Sequence, residues 1–92
     1  MAEVICEKVV RGMRDSERTV AVRDVFGQRE YIRVEHDFLT VLGDRTYLPV
    51  GVVAVAKEEG LVLIEFPHEP DTGRNRIWVR SGDLLPSNGA AS

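Results

Sequence analysis

The chain has 92 residues, 43% of them apolar, and this length and composition fit one small folded domain rather than a disordered segment. Its formal net charge of −3 disfavours broad contact with nucleic acid or anionic lipid, because such contact depends on basic surface. The single cysteine excludes an intramolecular disulfide bond and a four-cysteine zinc site.

Short strands separated by turns are predicted along the first half of the chain. Residues 4–10 form a first strand, and the charged residues 11–18 form a solvated loop. A second strand at residues 19–25 is followed by a tight turn at residues 26–28, where a glycine permits left-handed backbone. The return strand at residues 29–35 alternates between apolar and charged residues, so one face lies in the core and the other in water.

The second half of the chain also predicts strands. Residues 36–43 are interpreted as a 3₁₀ or short helical turn capped by an aspartate, although a helix or an irregular strand also fits them. Residues 46–57 are apolar almost throughout, which is typical of a strand that is buried on both faces or bent around a barrel. A tight turn then leads to a strand at residues 61–66, a long loop at residues 67–75 and a strand at residues 76–80.

A short motif follows the return strand of each of two predicted hairpins: an aspartate and then two large apolar residues. The two copies are either an internal duplication or the same kind of capping turn formed twice. Both interpretations place the apolar residues of the motif in the core, and these residues are Phe38, Leu39, Leu84 and Leu85.

Five to six short strands without an amphipathic helix predict an all-β fold. The strand at residues 76–80 and the five residues after it are similar to the strand, 3₁₀ turn and final strand that close SH3-like barrels. The expected architecture is therefore a small antiparallel SH3-like barrel with a 3₁₀ or short helical turn. Residues 1–85 are predicted to form this single domain, and residues 86–92 a disordered tail of small and polar residues.

Residues suited to catalysis are few. His36 and His68 each precede an acidic residue, but neighbours on an extended chain point to opposite faces, so no catalytic dyad is expected. Cys6 lies inside a predicted strand, which favours a packed and unreactive thiol. The acidic loop with His68, Glu69 and Asp71 lacks the regular ligand spacing of a zinc or calcium site. We therefore predict no enzyme activity, no metal and no cofactor.

Two triplets of the form Arg, aromatic, Arg at alternate positions are the strongest candidates for a binding surface. Each lies on the return strand of a predicted hairpin, so its three side chains share one face. Guanidinium groups beside an aromatic ring recognise carboxylates, phosphates and stacked rings. In an alternative interpretation the aromatics pack on the domain or in a dimer interface, and the arginines form ion pairs. The candidate residues are Arg76, Trp78 and Arg80, with Arg74 before them, and then Arg29, Tyr31 and Arg33.

We interpret the chain as a small cytoplasmic module that binds a peptide or protein partner through the strand face of Trp78. One alternative is a single-stranded nucleic-acid binding domain that uses the same surface, which the net charge disfavours. The other alternative is a homo-oligomeric structural subunit, such as a homodimer, paired through residues 46–57 or another exposed edge. The sequence has neither a secretory signal pattern nor an apolar run that could span a membrane, so no membrane contact is expected.

Overall fold

The computed structural model describes residues 2–85, which form eight β-strands and two short 3₁₀ helices. All strand pairs are antiparallel, so the predicted all-β class is confirmed, although the number of strands exceeds the predicted five to six. The strands are β1 (Ala2–Ile5), β2 (Lys8–Arg11), β3 (Glu17–Arg23), β4 (Arg29–Glu35), β5 (Thr40–Leu42), β6 (Arg45–Ala56), β7 (Leu61–Glu65) and β8 (Arg76–Arg80). The 3₁₀ helices are His36–Phe38 and Ser81–Asp83.

The strands form two sheets. One sheet has the order β2-β3-β4, and the other has the order β1-β6-β7-β8 with β5 also paired to β6. Over residues 2–85 the sheets do not close into a barrel, which corrects the prediction of a barrel. One backbone hydrogen bond, from the N–H of Val25 to the C=O of Trp78 at 2.8 Å, joins the connection after β3 to β8. No helix of residues 2–85 is long and apolar enough to cross a bilayer.

The first predicted strand, residues 4–10, is two strands that belong to different sheets. The N–H of Cys6 donates to the C=O of Thr46 at 2.9 Å, beside β6, whereas the N–H of Glu7 donates to the C=O of Ala21 at 2.7 Å, in β3. The chain therefore changes sheets between these two neighbouring residues. This change explains why the segment carries apolar residues on both faces without being buried on both.

The long strand β6 is shared by several partners. Its first half lies between β1 and β5, because Tyr47 is opposite both Ile5 and Thr40. Its second half pairs with β7, and a β-bulge lies between Val52 and Ala54. The strand therefore bends along its length, as one interpretation of this segment expected, although not around a closed barrel. The other interpretation, burial on both faces, is wrong, because residues 51–55 are exposed.

The core lies between the two sheets and is mainly aliphatic. Its buried residues come from both sheets, and Leu39 and Leu84 pack against them as predicted. Leu85 is half-buried, but Phe38 is exposed, so its assignment to the core is wrong. Phe38 ends the first 3₁₀ helix beyond the end of β4, where it lines a surface cavity with Val34 and Pro67. The cluster consists of Val4, Cys6, Val20, Val22, Ile32, Val34, Leu48, Val50, Val62, Ile64, Phe66, Ile77 and Val79.

The two repeated motifs form 3₁₀ helices of the same kind. The N–H of Leu39 donates to His36 in the first, and the N–H of Leu84 donates to Ser81 in the second. Neither helix has a side-chain cap, so the aspartate predicted to cap the first does not do so. Residues 40–42, part of the segment predicted as a turn, form the short strand β5.

The second 3₁₀ helix returns the chain to β1. Leu84 forms an isolated antiparallel bridge with Val4, and the N–H of Leu85 donates to the C=O of Glu3 at 2.8 Å. β1 therefore has β6 on one side and the last described residues on the other. Residues 86–92, predicted to be a disordered tail, lie outside the described residues.

Candidate functional site

The structure places the two predicted triplets in different sheets. β4 carries Arg29, Tyr31 and Arg33, and β8 carries Arg76, Trp78 and Arg80. On both strands these positions alternate with buried residues. The predicted faces of both strands are therefore confirmed. The four arginines are exposed, Tyr31 is partly exposed and Trp78 is half-buried.

Trp78 is part of an apolar row on the outer face of the β6-β7-β8 sheet. It lies opposite Leu63 of β7, and Leu63 lies opposite Ala54 of β6. Directly opposite residues share one face of a sheet, so the three side chains form a continuous row, which we name the Trp78 row. Cross-strand neighbours on one face pack side by side, and Trp78 is half-buried in this position. The exposed remainder of the row is an apolar contact surface.

The two arginines beside Trp78 have different surroundings. Arg76 lies opposite Glu65, and its Nε is 3.7 Å from Oε2 of that residue, in an exposed ion pair. Arg80 lies opposite Leu61 and forms no ion pair with a carboxylate of residues 2–85. Its charge is therefore the one at this end of β8 that remains available for a ligand.

Arg80 lines a surface cavity of about 370 Å³ between the ends of several strands. Glu7 and Arg23 also line it, with Oε2 of Glu7 2.6 Å from a terminal nitrogen of Arg23. The second oxygen of Glu7 lies 2.6 Å from Nε of Arg29. Arg29 thus reaches the site through Glu7, and Arg80 lines it directly, so one arginine of each predicted triplet lies at this site. The full lining is Ile5, Cys6, Glu7, Arg23, Arg80 and Asp83.

The electrostatics of this cavity favour an anion. The hydrogen bond from Arg29, together with the charges of Arg23 and Arg29, holds the pKa of Glu7 below its usual value despite partial desolvation. The same hydrogen bond raises the pKa of Arg29. The lining itself has two guanidinium groups, of Arg23 and Arg80, and two carboxylates, of Glu7 and Asp83. Arg29 lies outside the lining but pairs with Glu7, and it brings the local excess to one positive charge.

Arg74 forms ion pairs inside the domain with two buried carboxylates. Its terminal nitrogen lies 2.8 Å from Oδ2 of Asp24, and its Nε lies 3.3 Å from Oε2 of Glu30. Those two acidic side chains are 1% and 0% exposed, whereas that of Arg74 is 37% exposed. The hydroxyl of Thr72 donates to the other oxygen of Glu30. We name these four residues the Arg74 clasp, which attaches the 67–75 loop to the β3-β4 hairpin.

Asp24 also closes the hairpin that joins β3 to β4. Its Oδ1 accepts hydrogen bonds from the backbone N–H groups of Phe26 at 2.9 Å and Gln28 at 2.8 Å. Burial raises the pKa of Asp24, but the hydrogen bonds from Arg74 and from these two amides outweigh it. The pKa of Asp24 is therefore below its usual value, and the folded state favours the ionised carboxylate.

Replacing Asp24 with asparagine is expected to remove an acid-sensitive part of the stability. The contribution of the ionised carboxylate is complete above its unfolded pKa of about 3.9. It is lost as the pH falls through the lower folded pKa. The difference in the free energy of unfolding between the wild type and Asp24→Asn should therefore shrink over that pH range. Urea unfolding at a series of pH values measures this. Asp71→Asn, at an exposed ion pair, is the control. A difference in the free energy of unfolding between the wild type and Asp24→Asn that is constant with pH would contradict a stabilising role for the ionised carboxylate of Asp24.

The second triplet is bordered by the 67–75 loop. The N–H of Asp71 donates to the C=O of Tyr31 at 3.3 Å, and Nε2 of His68 donates to the C=O of Arg33 at 2.7 Å. Arg33 is also 3.7 Å from the carboxylate of Asp71. The loop therefore covers the outer edge of β4, and His68 has a structural role as a donor to the backbone. In this triplet both arginines have acidic neighbours.

Cys6 and His36 carry the side chains best suited to nucleophilic or metal chemistry, and the structure shows what surrounds each of them. Burial raises the pKa of the Cys6 thiol to about 12, which keeps it protonated and unreactive near neutral pH. Nδ1 of His36 is 3.2 Å from Oδ1 of Asp37, so the expectation that these neighbours point apart is wrong. They touch because they lie in a 3₁₀ helix and not on an extended strand. Residues 2–85 contain no group of three His, Cys, Asp or Glu side chains that could hold a metal ion.

Of the six residues that line the cavity, only Arg80 is among those that the sequence predicts for a site. Ile5, Cys6 and Asp83 were missed, and so was the ion pair of Glu7 and Arg23. Their partners lie on strands far apart in the chain, and neither residue stands in a recognisable motif. The available signal was the position of Glu7 directly after the apolar run of the first strand. Comparison with family models, curated proteins and solved structures gives no match to this chain.

Proposed function

We propose that this protein is a small, non-catalytic interaction module that binds an acidic segment of a peptide or protein partner. The observation that carries the proposal is the position of Arg80. It has no acidic partner within residues 2–85, it lines the anion-favouring cavity, and it shares a strand face with Trp78. A carboxylate of the partner binds Arg80, and an apolar side chain of the partner packs on the Trp78 row.

The ion pairs of the other arginines make single-stranded nucleic acid a weaker candidate for the ligand. A nucleic-acid strand needs a continuous basic track for its phosphates. Most arginines of the two triplets and the cavity are instead held in ion pairs with neighbouring carboxylates. Arg23 and Arg29 share Glu7, Arg33 pairs with Asp71, and Arg76 pairs with Glu65. One unpaired guanidinium next to an apolar row suits a single carboxylate better than a polyanion.

Replacing Arg80 with glutamine is expected to weaken binding of an acidic peptide by about tenfold to a hundredfold, because charge-assisted hydrogen bonds contribute about 1.5–3 kcal/mol. The probe is a set of end-blocked peptides in which glutamates alternate with aliphatic residues. Trp78 is the only tryptophan, so its emission reports occupancy of the adjacent surface. Peptides with glutamine in place of glutamate should bind weakly to both proteins.

Arg45→Gln is the control variant. Arg45 is an exposed arginine at the start of β6 that also has no ion pair within residues 2–85, so its replacement makes the same change in net charge. It should bind the peptides as the wild type does. Equal weakening by both variants, or no response of Trp78 to any acidic peptide, would refute the proposed site. A salt-sensitive response to short oligonucleotides alone would instead support the nucleic-acid alternative.

We also propose that the architecture is an elaborated SH3-like arrangement. The order β1, β6, β7, β8, 3₁₀ helix and the bridge of Leu84 to Val4 supports it, since this succession resembles the strands and turn of such barrels. Residues 6–44 would then be an insertion between the first two strands of the barrel. A cytoplasmic location is part of the proposal and is supported by the buried, unpaired thiol of Cys6, which suits a reducing compartment.

A further inference from the structure

Two opposite charges at the cavity beside β8 have no partner within residues 2–85. Arg80 and Asp83 both line this cavity. Neither side chain forms an ion pair with another residue of the described chain, and the two do not pair with each other. Neither takes part in a side-chain hydrogen bond of the same residues. One cavity thus offers a ligand both a guanidinium group and a carboxylate.

The other charged groups of the lining are already engaged. One oxygen of the Glu7 carboxylate lies 2.6 Å from a terminal nitrogen of Arg23, and the other oxygen lies 2.6 Å from Nε of Arg29. A cationic group that enters the cavity therefore finds its free acceptor at Asp83, and an anionic group finds its free donor at Arg80. The cavity has one open position for each sign of charge.

An apolar position lies next to these two charges. Trp78 shares the outer face of β8 with Arg80, and two residues of a strand span about 6.6 Å. Trp78 does not line the cavity, whereas Asp83 lines it from the second 3₁₀ helix, beyond the end of β8. The surface therefore presents the Trp78 row, then Arg80 and then Asp83. Alternate side chains of an extended peptide share one face and have the spacing of Trp78 and Arg80.

We propose that the partner segment carries both signs of charge, with an apolar, an acidic and a basic side chain at successive alternate positions. The apolar side chain packs on the Trp78 row, the acidic one binds Arg80, and the basic one binds Asp83. This inference rests on the proposed function and narrows the class of partner. A run of acidic residues would bring a like charge to Asp83, so the site selects against uniformly acidic segments.

Two end-blocked peptides of identical composition test the inference through the emission of Trp78. The first has the order Leu-Ser-Glu-Ser-Lys, and the second exchanges the last two residues to give Leu-Ser-Glu-Lys-Ser. The exchange moves the lysine to the opposite face of an extended chain and leaves the net charge unchanged. The first peptide should bind about threefold to fivefold more tightly, which is the effect of one partly solvated ion pair. Each order is also tested reversed, because a segment can lie along β8 in either direction.

Asp83→Asn should remove the preference between the two peptides and leave binding dependent on Arg80. The side chain of Asp83 caps no helix, so this variant should fold as the wild type does. Asp44→Asn is the control and should keep the preference, since Asp44 is an exposed aspartate that also has no ion pair within residues 2–85. Asp83→Lys should bind Leu-Ser-Glu-Ser-Glu more tightly than Leu-Ser-Glu-Ser-Lys, which reverses the preference of the wild type.

The outcomes separate this inference from the proposed function. If no peptide binds, or if Arg80→Gln binds as the wild type does, the proposed function fails and the inference fails with it. If the peptides bind through Arg80 but the position of the lysine has no effect in either chain direction, the inference alone is overturned. A preference that survives in Asp83→Asn also overturns it, as does one that Asp44→Asn abolishes equally, because the effect would then come from net charge.

Discussion

Replacing Arg74 with alanine is expected to lower the free energy of unfolding by about 3 kcal/mol, as found when one partner of a buried ion pair is removed. The variant leaves Asp24 and Glu30 buried without their common cation. The lower end of the usual range is expected because Arg74 itself is partly exposed and water can replace some of its charge. Since a domain of this size has a total stability of about 5–10 kcal/mol, urea unfolding will detect the change readily.

Arg76→Ala is the control for this prediction. Arg76 is two residues further along the chain and pairs with Glu65 on the exposed outer face. An exposed pair of this kind contributes less than about 1 kcal/mol. Adding Glu30→Gln to the Arg74→Ala variant should restore part of the lost stability, because one buried charge is then removed. Equal losses for the two arginine variants would show that the clasp is not a buried ion pair in solution.

Replacing Ile64 with alanine is expected to lower the free energy of unfolding by about 2–5 kcal/mol. Ile64 is fully buried on β7, the strand that lies between β6 and β8, and it is opposite Val52 and Ile77. Its removal leaves a cavity at a point where three strands meet. Thermal or urea unfolding measures the loss, and amide exchange of β7 and β8 should become faster.

Val41→Ala is the matched aliphatic truncation at an exposed site. Val41 lies on β5 and is largely solvated, so the change should alter the free energy of unfolding by less than about 0.5 kcal/mol. If Ile64→Ala were tolerated as well as Val41→Ala, the packing of the two sheets described for the core would be incorrect.

The parts of the fold that the sequence predicted well are those in which the two faces of a strand differ chemically. Residues 29–35 and 76–80 alternate between apolar and charged side chains, and both strands were found with the predicted boundaries and faces. The sheet change at Cys6 and Glu7 was not predictable in this way. It depends on which distant strand accepts each backbone hydrogen bond, and the local pattern contains no signal for that choice.

The alternation of residues along a strand also made part of the candidate site predictable. The outward faces of Trp78 and Arg80 follow from alternation, but the partners of Arg74 lie on a distant hairpin. A signal for the clasp was present in the sequence. Glu30 stands on the apolar face of its strand, and a carboxylate on a core face requires a buried counter-charge or donor.

The two copies of the aspartate motif show what short local patterns can determine. Both return strands end in extended residues, Glu35 and Arg80, with nearly identical backbone angles, and both continue as a 3₁₀ helix. The local conformation therefore follows from the motif. The burial of its apolar residues does not, since Leu39 and Leu84 pack on the core while Phe38 is exposed.

The contact of Leu84 and Leu85 with β1 places the two ends of the described chain next to each other. Neighbouring extended segments of a sheet lie about 4.8 Å apart. A domain with adjacent ends can be inserted into a surface loop of another protein without forcing the two sides of that loop apart. Its ends can equally be joined and the chain reopened at an exposed turn such as Gly43 and Asp44, which gives a circular permutant with the same pairing of strands.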